Sequence, residues 1–172
     1  TKGSHLTAPQ ISIDRAKVAA KAADEKLGKN IAVIDVAGVM AITDVFVIVS
    51  ADNERQVAAI VEEVEAELTE AGAEPKRREG NRENRWVLLD YGNFVVHVQR
   101  EAERDFYGLD RLYADCPVIA VEGVPEYQRP GAFADDGDEA AEEEGKGHAD
   151  RGDNGRLPKR DAEPEQERAV AD

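Results

Sequence analysis

The chain contains two short runs of apolar and β-branched residues, 86–91 and 94–98, that are separated only by Gly92 and Asn93. A Gly-Asn pair between strand-like runs is typical of a two-residue hairpin turn, because both residues tolerate positive φ. Strands this apolar usually lie inside a sheet. The pattern therefore predicts a central hairpin that forms the core of the domain and presents its working face.

The first four predicted elements, two helices and two strands, lie in residues 14–71. An alanine-rich run over 14–27 predicts a helix that ends at Gly28. The β-branched runs 31–36 and 45–50 predict an antiparallel pair of strands. Apolar residues spaced by three and four predict an amphipathic helix over 53–71, which begins at an asparagine suited to capping it.

The remaining elements complete a mixed sheet. The charged segment 73–79 contains a proline, which predicts an edge strand, and residues 101–115 predict a last helix that contains Gly108. A right-handed crossover through the amphipathic helix should make its two flanking strands parallel neighbours. The predicted fold class is α/β (α+β), a mixed sheet of about five strands with packed helices.

Composition divides the 172 residues into three parts. Residues 1–11 are predicted to be a cloning remnant with a flexible N-terminus, 12–122 a folded domain, and 123–172 a disordered acidic tail. Residues 135–172 hold 14 acidic and 6 basic residues, a net of -8, so that -7 of the total -15 remains for residues 1–134. High charge with low hydrophobicity does not repay the entropy of ordering a chain.

Charge and cysteine content limit the classes of function. A net-acidic domain is repelled by polyphosphate, which disfavours binding to bare nucleic acid and favours a basic protein partner. The single cysteine, Cys116, allows neither a disulfide framework nor a cysteine-based zinc cluster. No apolar run approaches the length of a membrane span and no signal peptide is visible, so we expect a soluble cytoplasmic protein.

Three aspartates, Asp35, Asp44 and Asp90, lie in or beside predicted strands, where carboxylates could assemble a two-metal site. Such a site needs two carboxylates on one face, as residues i and i+2 of a strand provide. No strand here holds an Asp-x-Asp pair. The simpler interpretation is that Asp44 caps a loop or pairs with a lysine or arginine. A nucleotidyltransferase-like metal-dependent enzyme is therefore the alternative function.

Other reactive groups are weaker candidates, and we expect no cofactor and no metal. His97 is a lone strand histidine, which is more often a hydrogen-bonded core residue than a base or ligand. Cys116 has no histidine near it in sequence, and neither a Walker nor a dinucleotide-binding glycine pattern is present. A basic cluster diluted by glutamates leaves a minor contact with RNA phosphate open. This cluster comprises Lys76, Arg77, Arg78, Arg82 and Arg85.

Trp86, the only tryptophan of the chain, begins the hairpin close to Asp90, Tyr91 and Asn93. A tryptophan at this position is equally compatible with a place in the core. Tryptophan and tyrosine are also preferred anchors of protein interfaces. In the absence of a catalytic set, an apolar sheet face with a charged rim indicates a binding surface.

Six segments carry a resemblance to a known family. They are Ile42-Thr-Asp44, Asn53-Glu-Arg-Gln-Val57, Arg78-Glu-Gly80, Arg85-Trp-Val-Leu-Leu-Asp-Tyr-Gly92, Val95-Val-His-Val98 and Arg104-Asp-Phe-Tyr-Gly-Leu-Asp-Arg-Leu-Tyr113. Together they resemble the ribosomal silencing factor family, which is related to plant iojap. Several motifs in the right order and spacing make the resemblance specific. It covers roughly residues 12–118 and leaves out the acidic tail.

The resemblance implies a ribosome anti-association factor with a nucleotidyltransferase-like fold and no enzymatic activity. Members bind the large ribosomal subunit at ribosomal protein L-fourteen, block joining of the small subunit, repress translation when nutrients are short, and often form homodimers. The family's partner-binding region corresponds here to hairpin residues: Arg85, Trp86, Asp90, Tyr91, Asn93 and Val95. Tyr113 and Asn93 stand where many relatives have Trp and Asp, and the second departure affects one rim charge.

Overall fold

The computed structural model describes residues 7–80 and 83–129. Its elements are α1 (Gln10–Glu25), β1 (Lys29–Asp35), β2 (Val45–Ala51), α2 (Glu54–Glu70), β3 (Arg77–Gly80), β4 (Trp86–Asp90), β5 (Phe94–Arg100), α3 (Glu101–Tyr107) and α4 (Leu109–Leu112). The strands form one mixed sheet in the order β1-β2-β5-β4-β3. The predicted α/β fold with a five-stranded mixed sheet is confirmed.

The predicted hairpin lies at the centre of this sheet. β4 and β5 are antiparallel, with Asp90 opposite Val95, and β5 is the middle strand. In the turn, the Tyr91 backbone N–H donates to the Phe94 carbonyl over 2.9 Å. Gly92 adopts φ +90° whereas Asn93 keeps an ordinary φ, so only the glycine uses the freedom that the sequence offers.

The crossover through α2 does not join neighbouring strands. β2 pairs in parallel with β5 over its whole length, and β3 lies at the far edge, antiparallel to β4. The prediction of an edge strand is confirmed, but the prediction that the strands flanking α2 are neighbours is wrong. The physical reason is burial: β5 is apolar enough to sit beside β2, whereas the charged β3 remains at an edge.

Two apolar clusters lie on opposite faces of the sheet. The larger cluster packs α1 and α2 against one face and includes Val47, Val96 and Leu89. The smaller cluster lies on the other face, is built around Ile34, Phe46 and their neighbours, and is covered by α4 residues and by the chain that follows. Antiparallel β1 and β2 pair as predicted, and Val118 forms a single bridge to Ile34.

The ends of α1 differ from the prediction. The helix covers Gln10–Glu25, so it begins four residues before the alanine-rich run, and Leu27 takes the positive φ (62°) expected of Gly28. Gly28 is required for a different reason. A Cβ atom there would lie 2.6 Å from Val49 Cγ1 and 3.0 Å from the Ala23 carbonyl oxygen. Close approach of α1 to β2, not a left-handed turn, selects this glycine.

The last predicted helix is two short helices. Gly108 takes φ +58° and ends α3, and α4 begins directly after it. Phe106, Leu109, Leu112 and Tyr113 recur at helical spacing, but Phe106 is 57% and Leu112 68% exposed. The break at Gly108 changes the direction of the chain between α3 and α4. Of these four residues, only Leu109 and Tyr113 pack on the smaller cluster.

The folded domain extends past both predicted boundaries. The Ala8 backbone N–H donates to Asp35 Oδ2 over 2.9 Å, and Gln128 exchanges two hydrogen bonds with the Asn30 side chain. These contacts place residues 8–11 and 123–129 on the domain, in regions predicted to be flexible. Residues 130–172 of the predicted tail lie outside the described residues. Within the described ranges, no helix combines the length and apolarity needed to cross a membrane.

We expect Gly28→Ala to lower the free energy of unfolding by about 1–3 kcal/mol, the usual cost of overpacking a filled core. The added methyl group would press on Val49 and on the end of α1. Chemical denaturation measures the change. Leu27→Ala is the matched control, because Leu27 is 74% exposed, and it should stay within about 0.5 kcal/mol of the wild type. Equal stability of Gly28→Ala and the wild type would contradict the close packing.

Candidate functional site

Strand alternation gives β4 two different sides. Val87 and Leu89 are buried under the helices, whereas Trp86, Leu88 and Asp90 are only partly buried on the opposite side. We call this opposite side of β4 and β5 the outer face. The helix layer covers one side of β4, but the outer face is left partly open, which makes it the candidate binding surface.

Trp86 is held on the outer face by two aromatic partners. Its ring centroid lies 4.8 Å from that of Tyr107 on α3 and 6.0 Å from that of His97 on β5. Its indole Nε1–H donates to His97 Nδ1 over 3.3 Å. The ring is thus partly core and partly surface, a combination that suits an interface anchor with a fixed orientation.

His97 is a buried, hydrogen-bonded residue of the sheet, as predicted. It is 5% exposed and packs edge-on against Phe46 with centroids 4.9 Å apart. Burial lowers the pKa of His97 to about 4, against a smaller opposing effect of the Asp110 charge. The imidazole is therefore neutral at pH 7, which leaves Nδ1 free to accept a hydrogen bond from the indole N–H.

Asp90 organises the hairpin turn from the outer face. Its Oδ1 accepts from the Gly92 backbone N–H over 2.8 Å. Its Oδ2 lies 3.7 Å from Arg77 Nε on the neighbouring edge strand. Because the carboxylate is about a quarter exposed, it remains accessible at the rim while it holds the turn.

The other predicted site residues do not all share this face. Val95 is buried in the cluster beneath the outer face. Asn93 is exposed in the turn, and Arg85 is exposed at the opposite end of β4. Tyr91 is buried on the helix side, stacked on Phe94 with centroids 4.8 Å apart. Trp86, Asp90 and Val95 thus share the outer face, with Trp86 at one end of β4 and the Asp90–Val95 pair at the turn. Tyr91 lies behind the sheet, because it follows Asp90 by one residue.

Asp35, Asp44 and Asp90 each accept hydrogen bonds from different parts of the fold. Asp35 accepts from the Ala8 and Ala37 backbone N–H groups, and Asp44 Oδ2 accepts from the Ser12 hydroxyl over 3.1 Å. Among the described residues, the one group of three potential metal ligands within reach of one another comprises Glu25, Glu63 and Glu67 on the surface. Each aspartate thus has its own local partner. That of Asp44 is a serine of α1, and not the loop backbone, lysine or arginine that the simpler interpretation named.

The basic cluster is largely neutralised where it is described. Arg77 pairs with Glu79 over 2.7 Å, Arg78 lies 3.5 Å from Glu65, and Arg85 pairs with Glu83 over 3.0 Å. Arg82 lies outside the described residues. Because neighbouring glutamates take up these charges, the cluster offers little net attraction for RNA phosphate.

Sequence reasoning missed a buried polar network beside α3. Arg104 donates to both carboxylate oxygens of Asp110, to Ser50 Oγ and to the Asn30 carbonyl, and Tyr127 donates to Asp110 Oδ2. Burial would raise the pKa of Asp110, but the Arg104 bonds outweigh burial and lower it. Arg104 and Asp110 both lie in a motif quoted above, whereas the contribution of Tyr127 had no signal in the sequence.

Two exposed apolar residues were also missed. Val39 and Ile42 are 63% and 81% exposed in the loop that joins β1 to β2. The end of this loop is tied to the hairpin turn, since the Asp44 backbone N–H donates to the Asn93 carbonyl over 2.8 Å. The end of the loop that carries Val39 and Ile42 is thus held next to the hairpin turn.

The family model described as "Ribosomal silencing factor during starvation" matches residues 9–146. The chain belongs to the ribosomal silencing factor family. It is therefore a silencing factor of the ribosome by family, a regulatory class of protein. The match begins before the predicted domain boundary at residue 12, in agreement with the ordered residues that precede it.

Named relatives and solved structures agree with this membership. The chain is 39% identical to "Ribosomal silencing factor RsfS" of Halalkalibacterium halodurans over 63% of this chain and 92% of that protein. It is 39% identical to the protein of the same name of Bacillus subtilis over 62% and 90%. It is 31% identical to chloroplastic Iojap of Zea mays over 58% of this chain and 43% of that protein.

Crystal structures support the fold as well. A protein from Chromobacterium violaceum is similar with a TM-score of 0.57 and 33% identity, over 59% of this chain and 84% of that one. A protein from Bacillus halodurans is similar with a TM-score of 0.53 and 36% identity, over 60% and 94%. The shared part thus amounts to most of each of these two chains and to about 60% of this one.

We expect the stability of the protein to fall between pH 6.5 and pH 4 by roughly 3 kcal/mol because of His97 alone, since its folded pKa of about 4 lies below the unfolded value. Between pH 6.5 and pH 4, His97 binds a proton in the unfolded chain but not in the folded one. Its contribution to the free energy of unfolding is therefore fully present above pH 6.5 and is lost as the pH falls. Denaturant titrations at several pH values measure this slope.

The variant His97→Asn isolates the contribution, because it keeps a polar side chain that does not titrate. Its decline over the same pH range should be smaller than that of the wild type, while the carboxylates contribute equally to both. Parallel stability curves for the two proteins would contradict a buried neutral His97.

Proposed function

We propose that this protein binds the large ribosomal subunit through ribosomal protein L-fourteen, sterically blocks joining of the small subunit, and so represses translation under nutrient limitation. The observation that carries the proposal is the single, partly exposed Trp86 on the open outer face, inside a family motif. The protein acts by occupying a site on the large subunit, without turnover of a substrate. We further propose that it acts in the cytoplasm and self-associates as a homodimer.

Charge supports a protein target in preference to bare RNA. The chain carries a net charge of -15, and Asp90 lies at the rim of the outer face. An acidic factor is attracted to a basic protein surface and repelled by exposed phosphate, which speeds correct encounter and suppresses incorrect ones. Any contact with ribosomal RNA is therefore minor in this proposal.

Each residue of the proposed docking surface has a defined place in it. Trp86 is the anchor at one end of β4, and Asp90 supplies a rim charge at the other end, beside its cross-strand partner Val95. Asn93 and Arg85 mark the two ends of the surface, and Tyr91 supports the turn from behind. Exposed apolar Ile42 extends the surface beyond the turn end. A rigid sheet that presents an aromatic anchor and a charged rim meets the ordinary requirements of a protein interface.

Cosedimentation with separated ribosomal subunits tests the proposed function directly. We expect the purified protein to migrate with large subunits and, when added before mixing, to reduce the fraction of joined ribosomes. Migration with small subunits alone, or unchanged joining at full occupancy of large subunits, would contradict the proposal.

We expect Trp86→Ala to weaken large-subunit binding by about 2 kcal/mol or more, roughly thirtyfold in affinity, as for an interface hot spot. The reason is loss of the anchor from the outer face. Binding titrations and denaturation are measured on the same variant, because partial burial of Trp86 predicts some loss of stability as well.

Phe106→Ala is the matched control, since Phe106 is an aromatic residue of the neighbouring helix that is 57% exposed. It should change neither affinity nor stability appreciably. If the two variants weaken binding equally, or if folded Trp86→Ala binds as well as the wild type, the anchor role is wrong.

A further inference from the structure

His97 occupies a position in the sheet where a polar side chain is costly. It is 5% exposed and lies in the middle strand, between buried Val96 and Val98. An apolar side chain would fill this space without burying two polar ring nitrogens. The sequence therefore keeps a residue here that does not give the most stable packing.

The hydrogen bond from Trp86 fixes the protonation of His97. An indole N–H only donates, so His97 Nδ1 must accept and carry no proton. The ring proton then resides on Nε2, which is buried, and the described residues offer it no hydrogen-bond partner. A buried donor without a partner lowers stability, and such costs in native proteins accompany another role of the residue.

Within residues 7–80 and 83–129, the Trp86 indole N–H donates one hydrogen bond, to His97. Stacking near Tyr107 at 4.8 Å limits the position of the indole but permits it to slide or flip. The bond to Nδ1 selects one orientation of the indole, and the two residues are diagonal neighbours across β4 and β5. An aromatic side chain ordered before binding loses less conformational entropy when the partner docks.

We propose that His97 is a positioning residue for ribosome binding, whose Nδ1 holds the Trp86 indole in its docking orientation. The inference rests on the proposed function, since it assigns His97 a role at the same surface. His97 itself lies beneath that surface and makes no contact with the partner.

Two substitutions in the full chain separate positioning from packing. His97→Asn keeps an amide oxygen close to the place of Nδ1 that can accept a hydrogen bond from the indole N–H, whereas His97→Leu fills the space and has no acceptor. Phe46→Leu is a control, because Phe46 packs on His97 and Tyr113 and no ring contact or hydrogen bond links it to Trp86.

Trp86 fluorescence reads the orientation in the free protein, since the chain has a single tryptophan. We expect His97→Leu to broaden the distribution of lifetimes and to add fast local depolarisation. His97→Asn and Phe46→Leu should resemble the wild type. Identical lifetimes and depolarisation in the wild type and His97→Leu would overturn the inference.

Binding to large subunits is measured on the same proteins. His97→Leu should bind about two- to tenfold more weakly, the cost of immobilising one side chain on docking, and His97→Asn should recover most of the affinity. The unfolding temperature of His97→Leu should equal or exceed that of the wild type, since an unpaired buried donor has been removed.

A purely structural role predicts the opposite pattern: His97→Leu unfolds at a lower temperature, and its affinity falls only with its folded fraction. That pattern would overturn the inference. So would an affinity of His97→Leu for large subunits equal to that of the wild type. Absence of wild-type binding is a distinct result, because it would overturn the proposed function itself together with this role in it.

Discussion

The placement of β5 between β2 and β4 is the constraint on which the rest of the domain depends. β5 pairs in parallel with β2 and antiparallel with β4, and all its residues but the last are buried. A strand paired on both edges and buried on both faces needs a layer on each side. α1 and α2 supply one complete layer, whereas the short α3 and α4 cover only part of the other. The outer side of β4 is left open as a result.

This unequal covering explains how one hairpin serves both folding and binding. Val87 and Leu89 contribute to the helix-covered core, while Trp86 and Asp90 alternate with them toward the open side. A substitution at Trp86 or Asp90 therefore alters the surface with less effect on the core than a substitution at Val87 or Leu89. The buried Arg104–Asp110 pair, 2.8 Å apart, fixes α3 and α4, and thereby the edge at which Tyr107 meets Trp86.

Much of the fold was predictable from local pattern, because alternation and helical spacing are local properties. The hairpin, the antiparallel β1–β2 pair, the Asn53 cap of α2 and the edge position of β3 all follow from residues close in sequence. Strand order was not predictable in this way: the β2–β5 pairing joins distant segments. The site was predicted in part, since Trp86 and Asp90 share a face while Tyr91 does not. Tyr127 and the His97–Trp86 bond depend on tertiary contacts that no spacing reveals.

The central claim is that the outer face, not the helix layer, meets the large subunit. A cryo-electron microscopy map of large subunits saturated with this protein would test it most directly. The account predicts that Trp86 and Asp90 contact a basic ribosomal protein, that α1 and α2 point to solvent, and that the bound domain overlaps the small-subunit position. A map in which α1 and α2 contact the large subunit while Trp86 faces solvent would contradict it.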